Sequence, residues 1–435
     1  MQNEGVPSRY SAFLPYTICS LAALFYLYEF ILQASPGVMT HELMRDLNLN
    51  AAGLGIFSAA FYYAYAFMQF PAGVLYDRYG PRLLLTIAIF VCASGAFFFG
   101  LSQSAGAAFF SRFLIGIGSA FSFIGALILV SRWFPARYFA VLAGLVQFMS
   151  SIGAIIGEYP LAKVMDQIGW RHAFISLAII GFTLALAVWW FVRDRPEDKR
   201  EKNANGEKIS AIQVPLIQSL KELFSHSQTW IIGLYAFVCW SPIAAFAVLW
   251  GVPYLTSLYG ISASTAAAMC SMIWLGIGLG SPFIGWWSDY LGRRRFPLIV
   301  VALIGFLSLG IIVYIPHIPF WLMFILLFCF GLAGSGQSLT FALVADTNRP
   351  EVVGTGMGFN NMAVVAGGMI FQPLIGVFLQ WGWDGQTVEG VNLYTLHNYR
   401  MALWILPLCY LVAYIVSMKW IHETYCKPQH RRFIK

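Results

Sequence analysis

The chain has 435 residues, of which 59% are hydrophobic and only 10% charged, and its net charge is +7. A soluble domain has roughly 25% charged residues, so this composition excludes a water-covered globular protein and indicates a lipid bilayer as the solvent. Apolar stretches of the roughly 20 residues that cross a bilayer recur along the whole chain. They predict an all-α membrane protein with about twelve spans, at 12–38, 52–72, 83–101, 105–131, 139–162, 172–192, 229–255, 264–286, 296–315, 319–343, 354–380 and 399–420.

The first predicted span has a polar face within its apolar sequence. Tyr26, Glu29 and Gln33 are spaced i, i+3, i+7 and therefore lie on one side of a helix. The second span repeats this arrangement with Tyr62, Tyr65 and Gln69. Such faces can line a pocket with hydrogen-bond donors and aromatic walls. They can equally pack helices together through a hydroxyl partner, and the spacing alone does not separate the two interpretations.

The loop after the second span has a counterpart after the eighth. Residues 73–82 and 285–295 both follow the pattern G-x-x-x-D-x-x-G-x-R, 212 residues apart. The shared positions are Gly73, Asp77, Gly80 and Arg82 in the first copy and Gly285, Asp289, Gly292 and Arg294 in the second. Two copies in equivalent places indicate an internal repeat of two halves.

Three ionisable residues lie clearly within spans, and buried charges in a bilayer are functional candidates by default. Glu29 and Arg112 fall at similar depths, about 10–14 Å below the surface at 1.5 Å per residue, so we expect them to be able to pair. Glu158, four residues from the end of the predicted fifth span, would be shallower and compete for the same arginine.

These three residues suit two kinds of chemistry. A carboxylate shielded from water near an arginine can change between charged and protonated forms, as proton coupling requires. Arg112 could hold a substrate carboxylate or phosphate, and Glu29 could receive a substrate amine. The alternative is a buried ion pair that only fixes helix packing.

A polar stretch divides the chain. We predict an N-terminal six-helix unit at 1–192, a linker at 193–228 with a short amphipathic helix on the membrane surface at Val214–Phe224, and a C-terminal unit at 229–435. The second unit has no comparable charge in mid-membrane, and Asn360 is the residue we expect to face a cavity. Asp346, after the tenth span, is an expected salt-bridge partner.

The basic residues are distributed unequally between the two faces of the membrane. If both termini lie on one face, 21 of the 26 Lys and Arg residues fall on that face and 4 on the other. This bias predicts cytoplasmic termini and explains the positive charge without a nucleic-acid partner. The seven cysteines show no metal-ligand spacing, so we predict no metal, disulfide or cofactor.

Two segments resemble the major facilitator superfamily. Residues 73–82 match its signature G-x-L-x-D-R-x-G-P-R, and residues 112–118 match its fourth-helix motif R-x-x-x-G-x-G. The resemblance implies two six-helix bundles around a central cavity that opens alternately to each side. It also implies that Gly73, Asp77, Arg78, Gly80 and Arg82 latch the basic face closed, with Asp289, Gly292 and Arg293 as a weaker copy. An ordinary charged loop that orients the protein is the alternative.

The chain contains no Gly-x-x-x-x-Gly-Lys-Ser/Thr loop, so nucleotide hydrolysis is excluded. We therefore predict a secondary active transporter, not an enzyme, for an organic anion, amino acid or peptide. The fifth span lacks the Gly-Pro pair of the superfamily's drug antiporters, which favours proton-coupled uptake over proton-driven efflux. A non-transporting receptor is an alternative of another class. We expect a monomer in a bacterial inner membrane.

Overall fold

The chain crosses the bilayer twelve times within the residues that the computed structural model describes, which are 13–135, 138–195, 216–388 and 390–427. Eleven helical stretches there are long and apolar enough to span a membrane. One of them, Val141–Phe191, has 51 residues and would be about 77 Å long if straight, more than twice the hydrocarbon thickness. It reverses at Gly169, where φ is 77°, and so makes two crossings. The predicted number of spans is confirmed.

The first six spans form the first half. Their helices are Leu14–Ala34, Ala51–Tyr79, Pro81–Leu101, Ala105–Ser119 continued by Ser122–Trp133, and Phe139–Phe191 with its reversal. A 3-10 helix at Ser35–Met39 and a short α-helix at Thr40–Asp46 follow the first span. Glycine tolerates the positive φ at position 169, which allows the fifth and sixth spans to join without a loop.

The last six spans form the second half. Their helices are Ser227–Pro242 continued by the π-helical Ile243–Trp250 and by Gly251–Tyr259, Ala263–Leu291, Arg295–Tyr314, Phe320–Gly334 continued by Gly336–Thr347, Pro350–Trp381, and Leu396–Leu403 continued by Ile405–Lys419. A small antiparallel hairpin, Thr387–Val388 with Val391–Asn392, lies between the last two spans.

Irregularities recur at matching places in the two halves. Pro71 within the second span corresponds to Pro282 within the eighth, and Pro160 within the fifth to Pro373 within the eleventh. Proline removes a backbone donor and bends a helix, so both halves bend in the same way. These offsets agree with the 212-residue repeat of the loop motif.

A short helix, Leu216–Ser225, precedes the seventh span. Leu223 is buried and packs in a small cluster with Val352 and Phe359 of the eleventh span. Glu222 accepts a hydrogen bond from Arg349 Nε at 2.8 Å. The amphipathic helix predicted at Val214–Phe224 therefore exists and is fastened to the start of the eleventh span. Most of the predicted linker lies outside the described residues.

The halves touch along pairs of spans at the face opposite the basic loops. A Cβ atom added at Gly55 would lie 2.5 Å from Gln372 O, and one at Gly376 would lie 2.3 Å from Ala51 O. These contacts join the second and eleventh spans almost backbone to backbone. A Cβ at Gly37 would lie 2.8 Å from Val248 O, which closes the first span against the seventh.

The same pairs of spans separate toward the basic face. Gly144 lies seven residues from Ser151 and Gly285 lies seven from Gly278, so each stays on the contacting side of its helix. Gly278 would place a Cβ 3.0 Å from Ser151, yet among the described residues a Cβ at Gly144 or Gly285 meets no atom within 4 Å. The second and eleventh spans behave alike, because Gly73, Gly354 and Gly358 are equally open. The structure is thus closed at one face and splayed at the basic face.

Candidate functional site

Arg112 is completely buried in the fourth span and is held by a carbonyl of the first span. Its Nη1 donates to Leu32 O at 2.6 Å. In a continuous α-helix that carbonyl would accept from the amide of residue 36, but Pro36 has none. The carbonyl of Leu32, near the end of the first helix, therefore lacks that amide partner, and it accepts hydrogen bonds from the guanidinium and from the Ser35 hydroxyl, the latter at 2.9 Å.

Two other nitrogens of Arg112 have no hydrogen-bond partner among the described residues. Nε and Nη2 are buried and make no hydrogen bond within the described structure. The guanidinium carbon lies 5.3 Å from the centroid of the Phe61 ring, which adds a cation–π contact. Buried donors are almost always paired in folded proteins, so these two nitrogens are available to an anionic ligand.

Glu29 lies near Arg112, but the two residues do not form the ion pair that their depths allow. Glu29 is 1% exposed, and the side chains of Ser119, Ser122 and Arg112 all lie near enough to influence it. Within the described part of the chain, no oxygen of Glu29 lies within 4.0 Å of a basic nitrogen, and Oε2 has no hydrogen-bond partner. The site thus contains an acid and a base that are close but separately unsatisfied.

The polar faces of the first two spans meet as their spacing indicates. Gln33 Nε2 donates to the Tyr62 hydroxyl at 3.3 Å, and Gln33 Oε1 is buried without a partner. Tyr26 donates to Gln147 of the fifth span at 3.4 Å. These side chains extend the polar surface around Glu29 and Arg112 from the first span to the fifth.

A second group of polar residues bridges the two halves. Asn361 Nδ2 donates to Gln69 Oε1 at 2.9 Å, and the Tyr65 hydroxyl lies beside both residues. Asn360, the residue expected to face the cavity, instead donates to Thr340 at 2.8 Å within the second half. Successive residues on a helix point about 100° apart, so one position decides which asparagine reaches the other half.

Glu158 contacts the second half of the protein, not Arg112. Trp274 Nε1 donates to Glu158 Oε1 at 2.7 Å, and the Ser271 hydroxyl donates to Oε2 at 3.2 Å. Glu158 is also deeper than expected, because the fifth helix continues to Gly169 and places the carboxylate about 16 Å from the reversal. Trp274 is one of the polar aromatic residues that the sequence of the second half offers to the interior, whereas no charge or spacing pattern in the sequence indicates Ser271.

The repeated loop motif makes its described contacts within each half. Arg82 N donates to Asp194 Oδ1 at 2.8 Å, and a Cβ at Gly80 would lie 2.8 Å from that oxygen. Arg82 also reaches the Trp189 carbonyl through Nε and Nη2. The side chain of Asp77 lies outside the described residues. A latch from this loop to the other half is therefore not formed by Arg82 in this conformation.

In the second copy, Arg294 takes the place expected for Arg293. Arg294 Nη1 donates to Asp289 at 2.7 Å and its Nε donates to Asp346 at 3.2 Å. The ion pair with Arg294 makes Asp346 the salt-bridge partner that the sequence predicts, and Asp346 also accepts a hydrogen bond from Thr424 at 2.7 Å. Gly292 ends the eighth span in a left-handed conformation with φ of 61°, which suits glycine.

The model of the Major Facilitator Superfamily matches residues 18–259 and 241–433. The chain belongs to the Major Facilitator Superfamily. The predicted fold, two six-helix bundles, is confirmed by this match and by the twelve spans. Members of this superfamily are membrane transporters, so the prediction that the chain is not an enzyme also holds.

The relatives of this chain include both probable transporters and a membrane sensor. It is 25% identical over 375 residues to the probable galactarate/D-glucarate transporter GarP of Escherichia coli strain K12, covering 79% of this chain and 83% of GarP. It is 23% identical over 361 residues to the membrane sensor protein UhpC of Salmonella typhimurium strain LT2, covering 79% and 81%. A bacterial homologue of the human lysosomal transporter Spinster, solved in an inward-facing and unoccupied conformation, shares the fold with a TM-score of 0.76, at 16% identity and over 94% of this chain and 97% of the other.

Proposed function

We propose that this transporter carries a small polyhydroxylated carboxylate, of the class named for GarP, by alternating access coupled to protons. The observation that carries the proposal is the pair of buried, unpartnered nitrogens on Arg112. A guanidinium with free nitrogens binds a carboxylate by parallel, charge-assisted hydrogen bonds. The relatives supply the substrate class, and the site supplies the chemistry that would recognise it.

The surrounding side chains suit a substrate with hydroxyl groups. The described polar residues of the interior leave acceptors as well as a donor without a partner: Glu29 Oε2 and Gln33 Oε1 beside Arg112, and Gln69 Nε2 in the group that bridges the halves. Hydroxyls donate and accept, and each could satisfy one of these atoms. An amino acid or peptide would leave more of them unpaired, at a cost of about 1–3 kcal/mol for each buried group. This favours sugar acids over the other substrates that the sequence left open.

The direction and location of transport belong to the same proposal. We infer uptake into a bacterial cell across the inner membrane, by a monomer whose two termini are cytoplasmic. Support comes from the distribution of 21 against 4 basic residues between the two faces. With that orientation, the splayed basic face is the cytoplasmic one. The proton would be carried by Glu29 or Glu158, the two buried acids of the membrane interior.

Binding and transport of D-glucarate and galactarate test the proposal. Purified protein should show a saturable thermal stabilisation by either sugar acid, and proteoliposomes should accumulate it when a pH gradient is imposed. Arg112→Ala should abolish both. Arg400→Ala is the matched control, because Arg400 also donates to a backbone carbonyl, Val313 O at 3.1 Å, but lies away from the site. Equal binding by the Arg112→Ala and Arg400→Ala variants would contradict the proposal.

A sensor is the second candidate function, because one relative of comparable similarity is a membrane sensor. Counterflow in proteoliposomes separates the two functions. A transporter accumulates labelled sugar acid against an unlabelled internal pool, whereas a sensor binds the same compound saturably without flux.

A further inference from the structure

We propose that Glu158, Trp274 and Ser271 form an interhalf clasp that holds the protein closed at the face opposite the basic loops, and that its release is a step in opening that face. The inference rests on the proposed alternating access but not on the identity of the substrate. The clasp would make Glu158 a positioning residue for the conformational change.

The clasp joins two spans that are each fixed in their own half. Glu158 belongs to the fifth span, which packs against the first through glycines: a Cβ at Gly153 would lie 2.2 Å from Leu27 O, and one at Gly157 would lie 2.7 Å from Ile31 O. Such close packing leaves the fifth span little freedom to move independently of the first. Any separation of the halves at this level must therefore carry Glu158 away from its partners.

The eighth span holds the other side of the clasp equally firmly. A Cβ at Gly276 would lie 2.3 Å from Phe328 O, so the eighth and tenth spans are in close contact. The Trp274 ring lies edge-on to Trp240 of its own half, with centroids 6.5 Å apart. It also lies edge-on to Phe30 of the first half at 6.0 Å. The indole is thus anchored in the second half and presents its N–H to the first.

The hydrogen bonds of the clasp matter for stability because all three of its residues are buried. Glu158 is 0% exposed, and Trp274 and Ser271 are 1% and 6% exposed. Within the described residues, Glu158 has no basic nitrogen within 4.0 Å, so its two hydrogen bonds across the halves are what compensate for removal of the carboxylate from water. Removing the partner of a buried polar group leaves that group unsatisfied, which costs more than the hydrogen bond itself contributes. Loss of the indole donor should therefore be felt by the closed state specifically.

The position of the clasp along the contact between the fifth and eighth spans, here called the seam, agrees with this role. The fifth and eighth spans run antiparallel, so Glu158 faces Trp274 and Ser151 faces Gly278, and the next matching pair, Gly144 and Gly285, is already apart. The clasp lies on the closed side of the point where the seam ends. It must break when that side opens, whereas contacts inside one half need not.

A native cysteine provides the readout. Cys270 is buried, precedes Ser271 on the eighth span, and lies close enough to Glu158 to interact with it electrostatically. With the other six cysteines replaced by serine or alanine, a membrane-impermeant maleimide added to each side of oriented vesicles would report opening at this seam. The background protein must remain monodisperse and retain its thermal stability.

Trp274→Phe keeps an aromatic ring but removes the donor, and it should raise the rate of Cys270 labelling about tenfold from the face opposite the basic loops, equivalent to about 1.4 kcal/mol. Glu158→Ala should do the same. The double variant should add little to either single change, because the two residues act through one contact. Ser271→Ala should give a smaller rise in the same direction and guards against misfolding of the larger changes.

Trp250→Phe is the matched control. Trp250 is equally buried, and its Nε1 donates to Gln372 O at 3.1 Å, but both residues lie in the second half. Its labelling rate should equal that of the unmodified background. Unchanged labelling in Trp274→Phe and Glu158→Ala, or an equal rise in Trp250→Phe, would overturn the clasp. Because labelling needs no substrate, that result would leave the sugar-acid proposal standing, and failure of D-glucarate binding would leave the clasp standing.

Discussion

At the scale of single residues, the membrane interior of this protein contains an unusual separation of charge. Arg112 is held by a backbone carbonyl that Pro36 leaves free, and Glu29 is held near hydroxyls. Had the two paired directly, the arginine would have had little capacity left for a ligand. The proline thus has a role in the site, since it leaves free the carbonyl that anchors the guanidinium.

Glu29→Gln should uncouple transport from protons while leaving binding in place. Glutamine keeps the shape and an acceptor oxygen of the side chain but cannot release a proton at any physiological pH. Accumulation of D-glucarate driven by an imposed pH gradient should fall to the level of passive exchange, and counterflow should persist. Glu42→Gln, on the short helix Thr40–Asp46, is the control carboxylate. Full gradient-driven accumulation by Glu29→Gln would remove this residue from proton coupling.

The residue scale is also where sequence analysis was least complete. Depth along the spans placed Glu29 and Arg112 together, since both lie at fixed distances from helix ends. The partner of Arg112 could not be predicted, because it is a backbone atom. The sequence pattern places Glu158 too close to the surface, because the apolar stretch ends at residue 162 whereas the helix continues to Gly169. Single-sequence patterns cannot resolve Asn360 from Asn361, which differ only by one helical step.

At the scale of elements, the short helix Leu216–Ser225 connects the linker to the second half. Its buried side chain, Leu223, packs against the eleventh span, while the Glu222–Arg349 ion pair lies nearer the surface. Exposed ion pairs stabilise by less than about 1 kcal/mol, whereas burial of a leucine contributes about 2–3 kcal/mol. The helix is therefore held mainly by its apolar contact.

Leu223→Ala should release this helix without disturbing the spans. Amide hydrogens of residues 216–225 should exchange at least tenfold faster, because truncating a buried leucine costs about 2–5 kcal/mol and local opening follows that cost. Lys221→Ala, at an exposed position of the same helix, should leave exchange unchanged. Hydrogen exchange with mass spectrometry makes the comparison, and equal protection in the two variants would show that Leu223 does not hold the helix.

Element types and order were largely predictable, because twelve apolar stretches and a repeated loop motif are strong signals. The direct joining of the fifth and sixth spans at Gly169 was not predictable, because nothing in the sequence except the glycine itself indicates a positive φ there. The matched prolines follow the same sequence offset as the loop motif, but the structure is what shows that they lie inside helices.

At the scale of the whole molecule, the open glycine pairs define what the other conformation requires. Gly144 and Gly285 have free space in this state, but alternating access would bring their helices together when the basic face closes. Small residues at such positions permit close helix approach. Gly144 and Gly285 therefore allow a helix contact that this conformation does not make.

Gly285→Leu should trap the protein open at its basic face. Its leucine fits the present conformation, so thermal stability should be retained or slightly raised, as glycine is a poor helix former. Sugar-acid transport should fall more than tenfold, because closure would bury the new side chain against the fifth span. Gly310→Leu, another helical glycine with open space but in the ninth span, is the control. Normal transport by Gly285→Leu would mean that the fifth and eighth spans do not meet there.

The length of the contact between the second and eleventh spans has a mechanical consequence. Among the described hydrogen bonds that join these two spans, Gln69–Asn361 lies nearest the basic face, and the second helix continues ten residues beyond it to Tyr79, about 15 Å at the rise of an α-helix. If the two halves tilt about that hydrogen bond, the length of this arm sets how far the basic face opens for a given angle, because the displacement of its end is proportional to its length.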